Sequence, residues 1–234
     1  MVTTQHIVTA YDDELEALDR MVAEMGGRVE QLLSDAVSGL IRSDAETAQN
    51  VVAEDKNIDQ LELDINQQAT QLLALRQPMA ADLRAVVASL KIANDLERMG
   101  DYSKNIAKRT ITLSNTSFMP SMSRSIENIS RMVGDMISNV LDAYRKRNSE
   151  LAKDVIAQDE SVDQLYTSLF REILTYMMED PRNITICTHY LFIVKNIERI
   201  GDHATNIAEQ IYYVAEGAPY EEGHPYADET SNIT

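Results

Sequence analysis

Two stretches of this chain occur twice. DLERMGDYSKNIAK, residues 95–108, returns at an offset of 101 positions as NIERIGDHATNIAE, residues 196–209. Glu97, Arg98, Gly100, Asp101, Asn105, Ile106 and Ala107 thus reappear as Glu198, Arg199, Gly201, Asp202, Asn206, Ile207 and Ala208. A second match precedes each of these. DAETAQNVVAEDKNIDQL (44–61) and NSELAKDVIAQDESVDQL (148–165) align at an offset of 104, and Glu46, Ala48, Val51, Asp55, Asp59, Gln60 and Leu61 all recur. Any two amphipathic helices share an apolar rhythm. Shared polar residues do not follow from that rhythm, so the chain is read as a duplicated unit whose polar face is present in both copies.

Each unit reads as three long helices. Val51, Ile58, Ile65 and Leu72 recur every seven residues, as do Val155, Val162, Leu169 and Tyr176, which is the seam of a bundle helix. The stretches ahead of them, Asp12 to Arg42 and Ser123 to Arg147, carry similar seams: Val22, Met25, Val29, Leu32, Leu33 and Val37, then Ile126, Ile129, Val133, Ile137, Val140 and Leu141. Pro78 and Pro181 each separate two amphipathic stretches by a short link, so the flanking helices should run antiparallel. Pro120 sits in a Ser-rich link midway along the chain. With only 8 Gly and 5 Pro, the composition is that of long helices. The expected fold is all-α: two tandem, sequence-related three-helix bundles over residues 8–116 and 121–216. An acidic, disordered tail is expected over 217–234.

Asp+Glu 38 against Lys+Arg 21 gives a formal charge of -17, which repels a nucleic-acid backbone and argues against DNA or RNA as a partner. The N-terminus lacks the basic start and apolar block of a signal peptide. The longest apolar run, Tyr190 to Val194, is far short of the roughly 18 residues that span a bilayer, so no membrane insertion is expected. Cys187 is the single cysteine, as suits a reducing compartment, and a cytoplasmic location is expected.

The repeated acids point to cation chemistry. Glu97 and Asp101 are four apart and share a helix face, as do Asp55 and Asp59, Asp159 and Asp163, and Glu198 and Asp202. Asp59 lies 19 residues before Pro78 and Glu97 lies 19 after it; Asp55 and Asp101 lie 23 on either side. Around Pro181 the distances are 18 and 17 for Asp163 and Glu198, then 22 and 21 for Asp159 and Asp202. In an antiparallel hairpin rising about 1.5 Å per residue these pairs come level, giving two patches of four carboxylates. Such patches suit hard cations, namely magnesium, calcium, manganese or iron. His203, beside Asp202, offers one nitrogen. The bland alternative is solvated acids, or ion pairs with Arg98 and Arg199. Gly100 and Gly201 lie inside helices, where glycine costs about 1 kcal/mol relative to alanine, and are read as points of close approach. An enzyme is not expected: there is no GxxxxGK[ST], GxSxG or HExxH string, and the helices do not supply the two Glu-x-x-His pairs of a ferritin-like di-iron site.

LRQPMAADLR (75–84), DLERMGDYSKNIA (95–107) and NIERIGDHATNIAE (196–209) together resemble the PhoU family of accessory regulators of bacterial phosphate-specific transport, over about residues 10–215. The resemblance implies a cytoplasmic adaptor, often homodimeric, that represses the phosphate-starvation response and restrains uptake. Its implied partners are the ATPase subunit of the phosphate ABC transporter and the phosphate-sensing histidine kinase. The family's acidic motifs match Asp55/Asp59, Glu97/Asp101, Asp159/Asp163 and Glu198/Asp202. There the resemblance implies multinuclear sites for iron, manganese, magnesium or zinc. The alternative class is a metal-storage or metal-dependent hydrolytic bundle using the same carboxylates.

Overall fold

The computed structural model describes residues 2–114 and 120–220, with side chains from 11 to 114 and from 122 to 220. Among these residues six α-helices follow one another: α1 (Val2–Arg42), α2 (Ala45–Arg76), α3 (Ala80–Leu113), α4 (Pro120–Lys146), α5 (Ser149–Glu179) and α6 (Ile184–Glu216). A 3-10 turn, Pro181–Asn183, leads into α6. α1 begins well before Asp12, since no proline or glycine interrupts residues 2–11. α4 begins at Pro120 itself rather than at Ser123; proline suits a first turn, where its missing N–H needs no partner. The Ser-rich link at 115–119 lies outside the described residues.

The duplication extends to the turn chemistry. Ser43 and Arg147 both adopt positive φ, 53° and 48°, and the next residue caps the following helix. Asp44 accepts from the amides of Glu46 and Thr47, and Asn148 from those of Glu150 and Leu151. Each side chain thus satisfies two of the amides that a helix start leaves open. The amides of Asp44 and Asn148 in turn reach back to Gly39 O (2.8 Å) and Ala143 O (3.0 Å). The two hairpin tips differ. α2 ends on Gln77 in the left-handed region ahead of Pro78, whereas Asp180 is extended and caps the 3-10 turn.

α1, α2 and α3 pack on one another, as do α4, α5 and α6, and the bundles meet along α3 against α6 and α1 against α4. All the seam residues named for α1, α2 and α4 are buried, as are Val155, Val162 and Leu169 of α5; Tyr176 is only partly covered. The buried residues of both bundles form one cluster. Across the junction Tyr144 donates to Asp19 (2.7 Å) and Arg147 pairs with the same carboxylate (2.7 Å). Farther along α1, a Cβ on Gly26 would fall 2.2 Å from Cδ2 of Leu141, so any larger residue there would require that leucine side chain to shift. Between α3 and α6, Arg109 lies over the ring of Phe192, 4.1 Å from its centroid.

The first residues of the expected tail, 217–220, fall within the described residues. Gly217 turns the chain with φ 76° while its amide bonds to Tyr213 O (3.0 Å), and Tyr220 packs edge-on against Tyr212. Residues 221–234 lie outside the described residues.

Candidate metal centre

The acidic pairs sit on the facing sides of α2 with α3 and of α5 with α6, each above a glycine. Gly100 lies between Glu97 and Asp101, and a Cβ there would stand 3.2 Å from Cγ2 of Ile58, which itself lies between Asp55 and Asp59. In the second bundle Gly201 meets Val162, between Asp159 and Asp163, at a looser 3.6 Å. Close approach at Gly100 therefore brings the α2 acids to α3, as the register counted from the prolines requires. At Gly201 the contact is ordinary, and Val133 of α4 stands equally near.

In the first bundle the patch already contains a cation. Lys104, one turn beyond Asp101, reaches across the helix pair, with Nζ 2.5 Å from Asp55 Oδ2 and 2.6 Å from Asp101 Oδ1. Asp55 is 5% exposed, and Lys104 is the cation that pairs with it. Burial pulls the Lys104 pKa down, but the hydrogen bonds it donates to Asp101 and Asp55 outweigh it and the net shift is upward. Glu97 lies at the edge; its pKa is raised, first by burial and then by the charge of Asp101, with Glu62 and Asp59 adding to it. Asp59 is exposed. Arg98 makes only long contacts, 3.6 Å to Glu97 and 3.8 Å to Asp101.

The second bundle gathers its acids more tightly. Asp163, Glu198 and Asp202 each place a carboxylate oxygen within 4.8 Å of the others, the one such convergence of three ligand residues among the described residues. Asp163 and Glu198 are buried, and Asp202 stands at the edge of the group. Burial, then the charges of Glu198 and Asp159, push the Asp202 carboxyl up to about 7, with Lys195 pulling the other way. Lys195 pairs with Glu198 (2.6 Å) from one turn upstream and lies over the ring of Tyr166. Three carboxylates converging around a partly buried point are an all-oxygen donor set, and they fit a hard cation.

All eight acids thus fall at the two helix pairs, but His203 does not join them. Its Nδ1 lies 2.8 Å from Asp95 Oδ1 across the junction with α3, and Tyr102 packs on its ring at 5.6 Å. Being one residue past Asp202, it points about 100° away around the helix. Sequence reasoning passed over Lys104 and Lys195. The available signal was a lysine three positions from a repeated acid, in DYSK and in KNIE.

The description "PhoU domain" matches twice, over residues 22–110 and 126–211. The phosphate-specific transport system accessory protein PhoU homolog of Rhizobium meliloti is 49% identical over 228 residues, covering 97% of this chain and 96% of that protein. The homolog of the same description in Caulobacter vibrioides is 47% identical over 225 residues, 96% of this chain and 98% of that protein. The crystal structure of PhoU from Pseudomonas aeruginosa superposes with a TM-score of 0.86 at 38% identity, over 89% of this chain and all of that one. That of the phosphate transport system regulatory protein PhoU from Streptococcus pneumoniae does so with 0.84 at 30% identity, over 91% of this chain. Two matched domains, near-complete coverage and a shared six-helix architecture establish that the chain belongs to the PhoU family, whose named members are accessory and regulatory proteins of phosphate transport rather than enzymes.

Proposed function

We propose that this protein is a cytoplasmic negative regulator of phosphate uptake and of the phosphate-starvation response. It acts as an adaptor between the ATPase subunit of the phosphate ABC transporter and the phosphate-sensing histidine kinase, with residues 8–116 and 121–216 as its two domains and a homodimer as its working form. The observation that carries this reading is the near full-length identity to transport accessory proteins. The strong acidity favours protein partners over nucleic acid. No helix among the described residues is long and apolar enough to cross a membrane, which agrees with an adaptor. Deleting the gene should leave phosphate-starvation genes expressed in phosphate-rich medium, read by a phosphatase reporter. Normal repression in the deletion strain would reject the assignment.

Asp163, Glu198 and Asp202, with Asp159 beside them, are the residues we assign to a hard cation such as manganese, magnesium or iron. A bound cation supplies positive charge. The protein's part is to hold these carboxylates together at a cost in mutual repulsion, which raises the Asp202 pKa while the cation is absent. Manganese should therefore raise Tm by mass action, and Glu198→Gln with Asp202→Asn should abolish that increment. The first set, Asp55, Asp59, Glu97 and Asp101, carries the same residue types, but Lys104 holds two of its four carboxylates.

A further inference from the structure

We infer that Lys104 is a built-in cation that closes the first acidic patch to metal, so that this chain takes up a divalent cation through its second bundle alone. The Lys104 ammonium spans the helix pair, bonding Asp55 of α2 and Asp101 of α3 at 2.5 and 2.6 Å, and so stands where an ion joining the two helices would have to sit. A metal entering there would break two charge-assisted hydrogen bonds in a partly buried site. It would also bring two or more positive charges close to the Lys104 ammonium.

The equivalent of Lys104 in the second copy is Thr205, 101 positions on, which is buried and turns its hydroxyl back to Gly201 O (3.3 Å). No cation enters the second patch from that position. Lys195 approaches from the opposite side of the acids along α6, and the position equivalent to it in the first copy is Asn94. With Lys195 in place, Asp163, Glu198 and Asp202 still converge within 4.8 Å, whereas the first patch forms no comparable group among the described residues. Lysine at 104 against threonine at 205 thus distinguishes a patch bridged across its helix pair by an internal cation from one whose three acids still converge beside Lys195.

The inference rests on the second patch binding a cation, and the experiment separates the two claims. Bound manganese per chain is measured by equilibrium dialysis and elemental analysis on the full-length protein. The samples are wild type, Glu97→Gln with Asp101→Asn, Lys104→Thr, and Lys104→Thr combined with that pair. Wild type and the Glu97/Asp101 variant should bind equal amounts. Lys104→Thr should bind more, and the combined variant should lose the gain. The inference is overturned if the Glu97/Asp101 pair releases manganese from wild type, or if Lys104→Thr, folded by circular dichroism, binds no more than wild type. Should Lys104→Thr fail to fold, Lys104→Gln, which keeps the reach without the charge, is judged by the same criterion. Wild type binding no manganese at all would reject the second-bundle site. A gain in the lysine variant would still support the closure of the first, and no gain would overturn it.

Discussion

Lys104 and Thr205 occupy equivalent places in two copies of one helical unit, and the acids around them are satisfied in different ways. In the first bundle a buried aspartate is paired across the helix hairpin by a lysine of the same chain. In the second the acids crowd together, and part of the charge is suppressed by raising the pKa of Asp202. Keeping the carboxylates does not by itself keep their electrostatics, because a burial penalty of several kcal/mol per ion can be met by an internal partner, by protonation or by a bound ion.

The largest expected difference between the bundles is in pH dependence. With the Asp202 pKa raised to about 7, the native metal-free protein holds a proton that the unfolded chain releases near its ordinary value. The native state then binds more protons between about pH 4 and pH 7, so stability falls as pH rises through that window and levels off above it. A shift of this size corresponds to at most on the order of 4 kcal/mol, less to the extent that water reaches the Asp202 carboxyl at the edge of the group. Urea unfolding of wild type and Asp202→Asn should show the variant gaining on wild type by that order between pH 4.5 and 8. Parallel pH profiles would show that the second patch is not electrostatically loaded.

Breaking the internal pair of the first bundle comes next. Lys104→Met leaves Asp55 buried and Asp101 without its close partner, at about 3 kcal/mol near neutral pH, since removing one member of a buried pair strands the other. Because the stranded groups are carboxylates, the loss should shrink as pH falls and they protonate. A loss below about 1 kcal/mol in denaturant unfolding would place the pair with ordinary surface bridges and remove the contrast between the patches.

What the sequence revealed and what it hid separate along a physical line. Distance along a helix can be counted: the seams at 22–37, 51–72 and 126–141 and the level placing of Asp55 with Asp101 follow from rise per residue and a turn at Pro78. Rotation about the helix axis is harder, because it depends on how many neighbours claim the helix. α3 and α6 each face their own bundle and the other one. His203 was expected beside Asp202 and instead turns to Asp95 across that junction. The long side chain of Lys104 was equally illegible, since a lysine one turn from an acid reads as a solvated surface pair until a second helix brings Asp55 within reach.

The smallest difference concerns the paired glycines, and it tests whether the bundles are equally tight beneath their acids. Alanine at either position gains about 1 kcal/mol from helix propensity alone. At Gly201 the new Cβ would meet Val133 and Val162 at 3.6 Å, an ordinary contact, so Gly201→Ala should realise most of that gain. At Gly100 it would stand 3.2 Å from Ile58, a fully buried side chain that must give way, so Gly100→Ala should be neutral or slightly destabilising. Shrinking the obstacle should restore the symmetry. Ile58→Ala, which removes the Cγ2 that stands nearest the new Cβ, costs about 2 to 5 kcal/mol alone, but should cost clearly less when Gly100→Ala is already present. A double-mutant cycle by denaturant unfolding reads that coupling directly. Strict additivity, with Gly100→Ala as stabilising as Gly201→Ala, would mean that Ile58 does not set the spacing of α2 and α3 beneath the first patch.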